Sequence, residues 1–426
     1  MSREEFRAVR RYYLYQATAS AGFITPVFTL FMLARGLSYS EIATLSAVVA
    51  VLVTAGEIPT GYVGDRIGRR NSLVASAVLL LSSLVGFVWA RTFAAFVVLY
   101  ALWAFGLTFR SGSDSAWLYD TLRERDAEDR FTSVRGRGES IERGASVAAM
   151  VAGGLLYVAD PTIPFVAAAL LAVAGVPVLL SMPQNEGYAE GTGDRLTVGE
   201  AVEVVRTAFG RAELRTFVLY VGLFFGAVSA SNTYVQPITV AVLERDAGWL
   251  AVPEAATLGV LYASFTGVAA AASYHSGTVE STLGLRTAVL LVPVGLGAAL
   301  VAPWIAPALA VPVFLAMRVG DALLRPLSGR YLNDRIDAAG RATVLSAASM
   351  AYALLRVPLI LTGGVVADAA GPLVAVAGFG GVFLVAAAVL TAFATPVAPT
   401  PTGRAPRSSP EPVPSPVLPI ERMETL

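Results

Sequence analysis

The sequence contains no cysteine and no lysine, and its single histidine is His275. Without cysteine the chain cannot form a disulfide, a thiolate nucleophile or a cysteine-ligated metal site. One histidine is too few for a histidine metal cluster, and no Ser-His-Asp set can be assembled around it inside the apolar segments. A glycine-rich phosphate loop is also absent, which argues against an ATP-driven pump. We therefore expect no enzyme activity, no catalytic residues, no metal and no cofactor.

Charged residues are scarce as well. They make up 15% of the 426 residues, whereas 55% are hydrophobic and the mean hydropathy is +0.65. Apolar stretches of about 20 residues, long enough to cross roughly 30 Å of hydrocarbon, recur along the chain. These features predict an all-α integral membrane protein, multi-pass in the plasma membrane of the cell. We expect a monomer surrounded by the lipid bilayer, with no nucleic-acid partner.

Twelve apolar segments can be placed as membrane spans. Arginines are concentrated in the loops after even-numbered spans, such as Arg66, Arg69 and Arg70 after span 2, whereas the loops after odd-numbered spans are short and poor in arginine. Because basic loops stay in the cytoplasm, this distribution predicts that both termini are cytoplasmic. The predicted spans lie at about 12–34, 41–64, 71–90, 93–116, 142–159, 163–182, 214–237, 254–275, 287–304, 307–328, 343–366 and 372–395.

The two halves of the chain resemble each other in sequence. Several residues recur in the same order and at the same place relative to the spans, which indicates a duplicated six-span unit. Such duplicated halves are typical of alternating-access transporters. The recurring residues are Gly61, Gly68 and Arg70 with Gly277, Gly284 and Arg286, and Gly153, Gly154 and Asp160 with Gly363, Gly364 and Asp368.

The repeat and the composition predict four regions. Residues 1–182 form a first six-helix bundle and residues 214–395 form a second one. The segment 183–213 between them is a cytoplasmic linker, in which the apolar period of 196–209 predicts an amphipathic helix at the membrane surface. The proline-rich tail, 396–426, is predicted to be disordered.

The segment GYVGDRIGRR at 61–70 gathers charges and glycines where span 2 ends. It matches the signature loop of the major facilitator superfamily, which the chain resembles over 1–395. The resemblance implies twelve helices in two pseudo-symmetric bundles, and a loop that joins the halves at the cytoplasmic side in the outward-open state. Asp65 would there meet the positive end of span 11 near Thr343. The alternative is a solvated anchor without a gating role. The predicted gating residues are Gly61, Asp65, Arg66, Gly68, Arg69, Arg70 and Asp120.

Charged residues inside a span are costly in hydrocarbon and are therefore functional candidates. The candidates for proton coupling are Glu57, Arg110, Asp114 and Asp321. Burial of a carboxyl favours its protonated form, and a nearby cation such as Arg110 opposes that effect. These charges also have a purely structural interpretation. Arg110–Asp114 and Arg318–Asp321 could be self-neutralised pairs that hold the bundle, and Glu57–Arg110 could be a permanent salt bridge.

Spans 1, 4, 7 and 10 line a central cavity in proteins of the superfamily, so polar residues on these spans are candidates for binding a substrate. The same residue types also make ordinary hydrogen bonds between helices. His275, near the inner end of span 8, is expected at the membrane interface rather than in a proton relay. The candidate cavity residues are Gln16, Thr25, Arg110, Asn232, Tyr234, Gln236, Tyr262, Arg318 and Asp321.

We predict a secondary active transporter that moves a small molecule by alternating access, with protons as a further partner. The alternatives are a membrane sensor or scaffold that transports nothing, or an uncoupled uniporter. The antiporter signature of span 5 is incomplete, since Ala149-Met150 replaces the Gly-Pro pair expected before Gly153-Gly154. A cavity with both arginine and aspartate would accommodate an anion, a zwitterion or an amphipathic molecule.

Overall fold

The fold comes from a computed structural model, and the structure describes residues 3–185, 198–247, 253–336 and 340–397. Within these ranges the chain is helical and contains no β-strand. Nine of the twelve spans are single helices. These are span 2 Tyr39–Ile67, span 3 Arg69–Trp89, span 5 Phe131–Ala159, span 6 Ile163–Ser181, span 8 Glu254–Tyr274, span 9 Leu285–Ile305, span 10 Ala310–Asn333, span 11 Arg341–Ala370 and span 12 Pro372–Phe393.

Spans 4 and 7 each contain an interruption. Span 4 consists of helices Phe93–Arg110 and Ser113–Arg123, separated at Gly112, whose φ of 74° lies in the left-handed region that glycine adopts without strain. Span 7 runs from Ala212–Ser231 through a 3₁₀ turn, Asn232–Tyr234, into helix Val235–Ala247. Eleven of the described spans are long and apolar enough to cross a membrane.

Span 1, predicted over 12–34, is the remaining one, and it is not a single continuous helix. It consists of helix Arg3–Thr18, an irregular segment and helix Phe28–Ala34. Pro26, which has no N–H to donate, lies in the irregular segment. Gly22 lies there too, so close to span 5 that a Cβ would be 2.7 Å from that of Ala149. The break leaves backbone groups of span 1 without helical partners.

Each half has its own apolar core, and that of the second half extends to Ala43 and Met150 of the first half. In the first half, aromatic rings pack near one end around Phe87, Phe96 and Phe165. The second half is built on the buried face of span 7, where the ring of Phe217 stacks on that of Tyr331 in span 10 with centroids 3.9 Å apart. The halves meet where span 2 packs on span 11 and where span 5 packs on span 8.

We call the face with the loops after even-numbered spans the inner face, and the opposite one the outer face. At the inner face, span 5 begins at Phe131, so the helix is longer than the predicted 142–159. The linker helix is Val198–Gly210, and Val204 packs against Gly340 at the start of span 11. Residues 186–197 of the linker and the tail after 397 lie outside the described residues, and the four region boundaries remain predictions.

Candidate functional site

The two halves are joined at the outer face by Asp368, at the C-terminal end of span 11. Its carboxylate oxygens accept hydrogen bonds from the backbone N–H groups of Tyr39 and Ser40, at 2.8 and 2.9 Å. Those N–H groups belong to the first turn of span 2, where no preceding helical carbonyl is available to them. The positive end of the helix dipole favours a carboxylate at this point. We call this contact the outer cap.

A second link between the halves is made by Gln236 of span 7. Its side-chain oxygen accepts from the backbone N–H of Thr29 at 2.8 Å and of Leu30 at 3.3 Å, and its amide nitrogen donates to the carbonyl of Thr25 at 2.9 Å. All three backbone groups lie at the break in span 1. Gln236 is buried, so it replaces water as their partner and fixes span 1 against span 7.

The repeated Gly-Gly pairs mark the places where the halves approach most closely. A Cβ on Gly364 of span 11 would lie 2.6 Å from the Cβ of Ala43 and 2.9 Å from the Cα of Ser40, both in span 2. We call the contacts of span 2 with span 11 and of span 5 with span 8 the two seams. In the second seam, a Cβ on Gly259 of span 8 would lie 2.6 Å from the backbone oxygen of Met150, and Gly154 of span 5 faces Gly259. The sequence echo therefore corresponds to two seams in the outer half, each closed through a glycine.

Asp160 is the sequence counterpart of Asp368, but it does not cross between the halves. It accepts hydrogen bonds from the hydroxyl and the backbone N–H of Thr162, at 2.5 and 2.7 Å, in the loop after span 5. These bonds lower the pKa of the Asp160 carboxyl. The two seams are thus alike in their glycines and different in their carboxylates.

At the inner face, the signature loop contacts its own half. Arg66 lies over the ring of Tyr62 at 4.3 Å, and Arg70 donates to the backbone oxygen of Met182 at 3.3 Å. Asp120, another of the predicted gating residues, lies near enough to Arg69 to interact with it electrostatically. Gly68, with a φ of 87°, forms the turn between spans 2 and 3.

Gly61 and Asp65 are two more of the predicted gating residues. A Cβ placed on Gly61 would have no atom within 4 Å, so no described residue packs closely against it in this state. The side chain of Asp65 lies outside the part of the chain that the structure describes. The predicted contact of Asp65 with the start of span 11 remains a prediction for another state of the protein.

A cavity of about 430 Å³ lies between the halves, inside the outer cap and the Gln236 link. Five of the nine predicted cavity residues line it: Thr25, Asn232, Gln236, Tyr262 and Arg318. Its wall also contains residues that the sequence did not single out, among them Phe28, Ser46, Phe87, Tyr100, Trp103, Ser229, Thr233 and Arg356. Arg356 is the most important of these residues. It is a charged residue in the middle of the apolar sequence of span 11, so it could have been predicted as a functional candidate in the same way as Arg318.

The other four predicted cavity residues are absent from that lining. Gln16 is buried and donates to the hydroxyl of Tyr12 at 2.9 Å, and Tyr234 is buried between Tyr39 and Phe379. Arg110 lines a separate cavity of about 110 Å³ within the first half. Asp321 forms an ion pair on its own helix. These assignments to the central cavity are wrong, because position along a span does not tell which way a side chain points.

The charged pairs inside the membrane differ from all three pairs considered from the sequence. Arg110 forms an ion pair with Glu142 of span 5 at 3.4 Å, and not with Asp114 or Glu57. Asp114 accepts from the backbone N–H of Ser115 at 2.7 Å, at the start of the second helix of span 4. The spacing of residues along span 4 could not predict Glu142 as the partner of Arg110, because Glu142 belongs to span 5.

In span 10 a pair between Arg318 and Asp321 was one of the alternatives left open by the sequence, and the structure does not form it. Asp321 is held by Arg325, whose Nε and Nη2 both donate to it at 2.9 Å, one helical turn towards the inner face. Arg318 is therefore left to the cavity. His275 ends span 8 in an exposed position beside the ring of Tyr274, 5.1 Å between centroids, which fits the expected interfacial residue.

The family of the chain follows from comparison with known proteins. A model of the Major Facilitator Superfamily matches residues 16–358. The chain belongs to this superfamily. A relative, the "Uncharacterized MFS-type transporter YxaM" of Bacillus subtilis (strain 168), is 22% identical over 144 residues, which is 34% of this chain and 35% of that protein. The chain therefore matches only about a third of that relative's length.

Solved structures of the superfamily share the fold over nearly the whole chain. The nucleoside transporter NupG has a TM-score of 0.76 at 12% identity, covering 92% of this chain and 99% of that one. A D-xylose-proton symporter has a TM-score of 0.66 at 15% identity, covering 92% and 97%. The predicted family and its helical membrane fold are confirmed. The chain shares its fold with transporters of this superfamily.

Proposed function

We propose that the cavity between the halves is the substrate site of a secondary active transporter that works by alternating access, and that this structure is its inward-facing state. The observation that carries the proposal is the cavity's position, with residues of both halves in its wall and the outer cap closing it on one side. A site shared by two rigid halves can open to either face when one half rocks against the other.

The inner half of span 2 supports the inward-facing assignment. Beyond the cavity, Tyr62 is 59% exposed, and Gly61 has open space where a partner helix would pack. The hydrogen bonds that Asp368 and Gln236 make between the halves lie, in contrast, at the outer side of the cavity. This asymmetry is what an inward-facing state requires, because only one end of the seam between the halves can be open at a time.

The substrate is a small molecule, and one chain supplies the whole cavity, which suits a monomer in the plasma membrane. The names of the solved relatives indicate different substrates, namely nucleosides, D-xylose with protons, and peptides. Their likeness supports transport of a small solute without selecting among these classes.

Proton coupling is proposed through Glu57. Ile42, Ser46 and Val49 of span 2 line the cavity, and Glu57 follows Ser46 by about three helical turns, so it lies on the same face of the helix. Glu57 is exposed here and has no ion-pair partner among the described residues. Closing the inner half of span 2 against span 11 would bury this carboxyl and so favour its protonated form. A carboxyl whose burial changes with the state can couple a proton to transport.

The absence of cysteine allows a direct test of alternating access. Ser46→Cys places a single thiol in the cavity wall, and Ser83→Cys places one at a fully buried site inside the first half as a control for unfolding. Both variants are exposed to a membrane-impermeant thiol reagent in vesicles of each orientation. We expect fast labelling of Ser46→Cys from the inner face and slower labelling from the outer face, with Ser83→Cys unreactive from both.

Labelling of Ser46→Cys from the inner face alone would contradict alternating access and favour a sensor or scaffold. Flux of a bound solute into liposomes containing only this protein then separates the remaining alternatives. A coupled transporter accumulates the solute against its gradient, whereas an uncoupled uniporter only equilibrates it.

A further inference from the structure

The central cavity contains two cationic side chains from the second half. Arg318 of span 10 and Arg356 of span 11 both line it. The guanidinium of Arg318 lies over the rings of Tyr262 and Phe265, 5.8 and 5.4 Å from their centroids. That of Arg356 donates only a long hydrogen bond, 3.4 Å, to the hydroxyl of Ser229. Aromatic faces and one hydroxyl orient these cations but do not neutralise them.

Neither arginine is compensated by an acid. Among the described residues neither forms an ion pair, and the Nε of each is buried without a hydrogen-bond partner. No aspartate or glutamate lines the cavity in the part of the chain that the structure describes. Asp321, the nearest acid in sequence to Arg318, is already held by Arg325. Two such charges inside a membrane protein are costly unless something negative comes between them.

The first half presents a different surface to the same cavity. Phe28, Phe87, Tyr100 and Trp103 line it, and the rings of Phe28 and Tyr100 are stacked with centroids 5.9 Å apart. Flat aromatic walls favour a flat apolar group between or against them. The cavity is therefore cationic on the side of the second half and aromatic on the side of the first.

A hydrogen-bond acceptor without a partner lies in the same wall. The side-chain oxygen of Asn232 is buried and accepts no hydrogen bond, whereas Gln236, one turn further along span 7, bonds to span 1 and donates to the hydroxyl of Tyr262 at 3.4 Å. A buried acceptor left unpaired destabilises the protein, so a ligand with a hydroxyl or N–H group would gain binding energy there.

We propose that the substrate is a small aromatic carboxylate, bound with its anionic group between Arg318 and Arg356 and its ring against the aromatic wall. The inference rests on the transport function proposed above and adds the class of the substrate. A cationic solute would meet two like charges and no acid. A neutral sugar would leave both guanidinium groups uncompensated and cover the aromatic wall with hydroxyls. A carboxylate also suits the planar, two-pronged geometry of a guanidinium.

The test uses ligands that differ in charge on a similar phenolic frame. Thermal stabilisation and calorimetric binding of the purified protein are measured with 4-hydroxybenzoate, 4-hydroxybenzamide and tyramine, and with 4-hydroxyphenylacetate and indole-3-acetate as further anions. We expect binding of at least one of the three anions and none of the amide or the amine. In Arg318→Gln and Arg356→Gln that binding should weaken about tenfold or more, because each removes a hydrogen bond from a charged donor.

Two further variants separate charge from packing. Arg318→Lys keeps the charge and should retain part of the binding, whereas Arg245→Gln removes an arginine that is paired with Asp246 at the outer end of span 7 and should leave binding unchanged. The proposal is overturned if no anion of the series binds, if the amide or the amine binds as tightly, or if both Arg→Gln variants bind the anion as well as the wild type. Labelling of Ser46→Cys from both faces would, in that event, still support alternating access.

Discussion

Asp368 in span 11 and Ser40 in span 2 form the bond that closes the outer face of this protein, with a carboxylate oxygen 2.9 Å from a backbone nitrogen. The contact joins the last turn of one helix to the first turn of another, so it requires both halves to be in place. At the inner face the predicted partner of the start of span 11 is Asp65, near the end of span 2. Spans 2 and 11 would then exchange aspartates, one at each face, with only one contact made in each state.

We expect Asp368→Asn to destabilise the inward-facing state by about 1 kcal/mol, or about fivefold in population, because the amide keeps one acceptor and loses the charge that the helix dipole favours. Spin-label distances between Arg91→Cys and Leu309→Cys, in outer loops of the two halves, should shift to longer values. Asp160→Asn is the matched control, since Asp160 bonds only within its own half. An unchanged distance distribution in Asp368→Asn would argue against the outer cap as a determinant of state.

The opposite shift is expected for Asp65→Asn. If Asp65 holds the start of span 11 in the outward-facing state, its loss should raise the inward-facing population by a similar factor and reduce transport without affecting insertion. The distance between spin labels at Glu128→Cys and Thr282→Cys, on the inner face of the two halves, measures this change in population. Normal distances together with normal flux would favour the view that the loop is only a positive-inside anchor.

The glycines of spans 2 and 11 should have opposite effects when a methyl group is added. Gly364→Ala places a Cβ 2.6 Å from that of Ala43, so closing the outer seam should cost about 1–3 kcal/mol and the outward-open state should gain. Gly61→Ala meets open space here and should instead hinder closure of the inner side. Thiol labelling of Ser46→Cys from each face measures both. Similar labelling in the two variants would contradict the assignment of the faces.

Gln236→Leu should lower thermal stability in detergent. It leaves the N–H groups of Thr29 and Leu30 and the carbonyl of Thr25 without their partner, at roughly 1–3 kcal/mol for each buried group. Thr239→Val is the control on the same helix, because the Thr239 hydroxyl is buried without a hydrogen bond and its removal should cost little. Equal loss in the two variants would mean that Gln236 contributes only packing.

For proton coupling, Glu57→Gln should abolish accumulation driven by a pH gradient while exchange of the substrate across liposomes survives. The amide cannot take up a proton, but the cavity and the outer cap are unchanged. Accumulation that persists in Glu57→Gln would exclude Glu57 as the proton site and direct attention to Glu142, the partner of Arg110.

The sequence alone was sufficient for the family of the protein and for its helical membrane fold. The reason is that crossing hydrocarbon imposes length and apolarity on each helix separately, and those properties can be read without knowing the helix's neighbours. The intramembrane charges were visible for the same reason, since Arg318 and Asp321 interrupt an apolar run wherever the helix lies. Arg356 interrupts span 11 in the same way and could have been found.

Only the tertiary structure decided which of these residues act together. Arg318 lines the cavity, whereas Asp321 forms an ion pair with Arg325. Both arginines are close enough to Asp321 along the helix to pair with it, since they are three and four residues away. The pairing of Arg110 with Glu142, the bond from Asp368 to span 2 and the capture of the broken span 1 by Gln236 each join residues from different helices. Such contacts depend on how helices rotate and pack against one another, and that is set by the sum of many small side-chain contacts rather than by any local pattern.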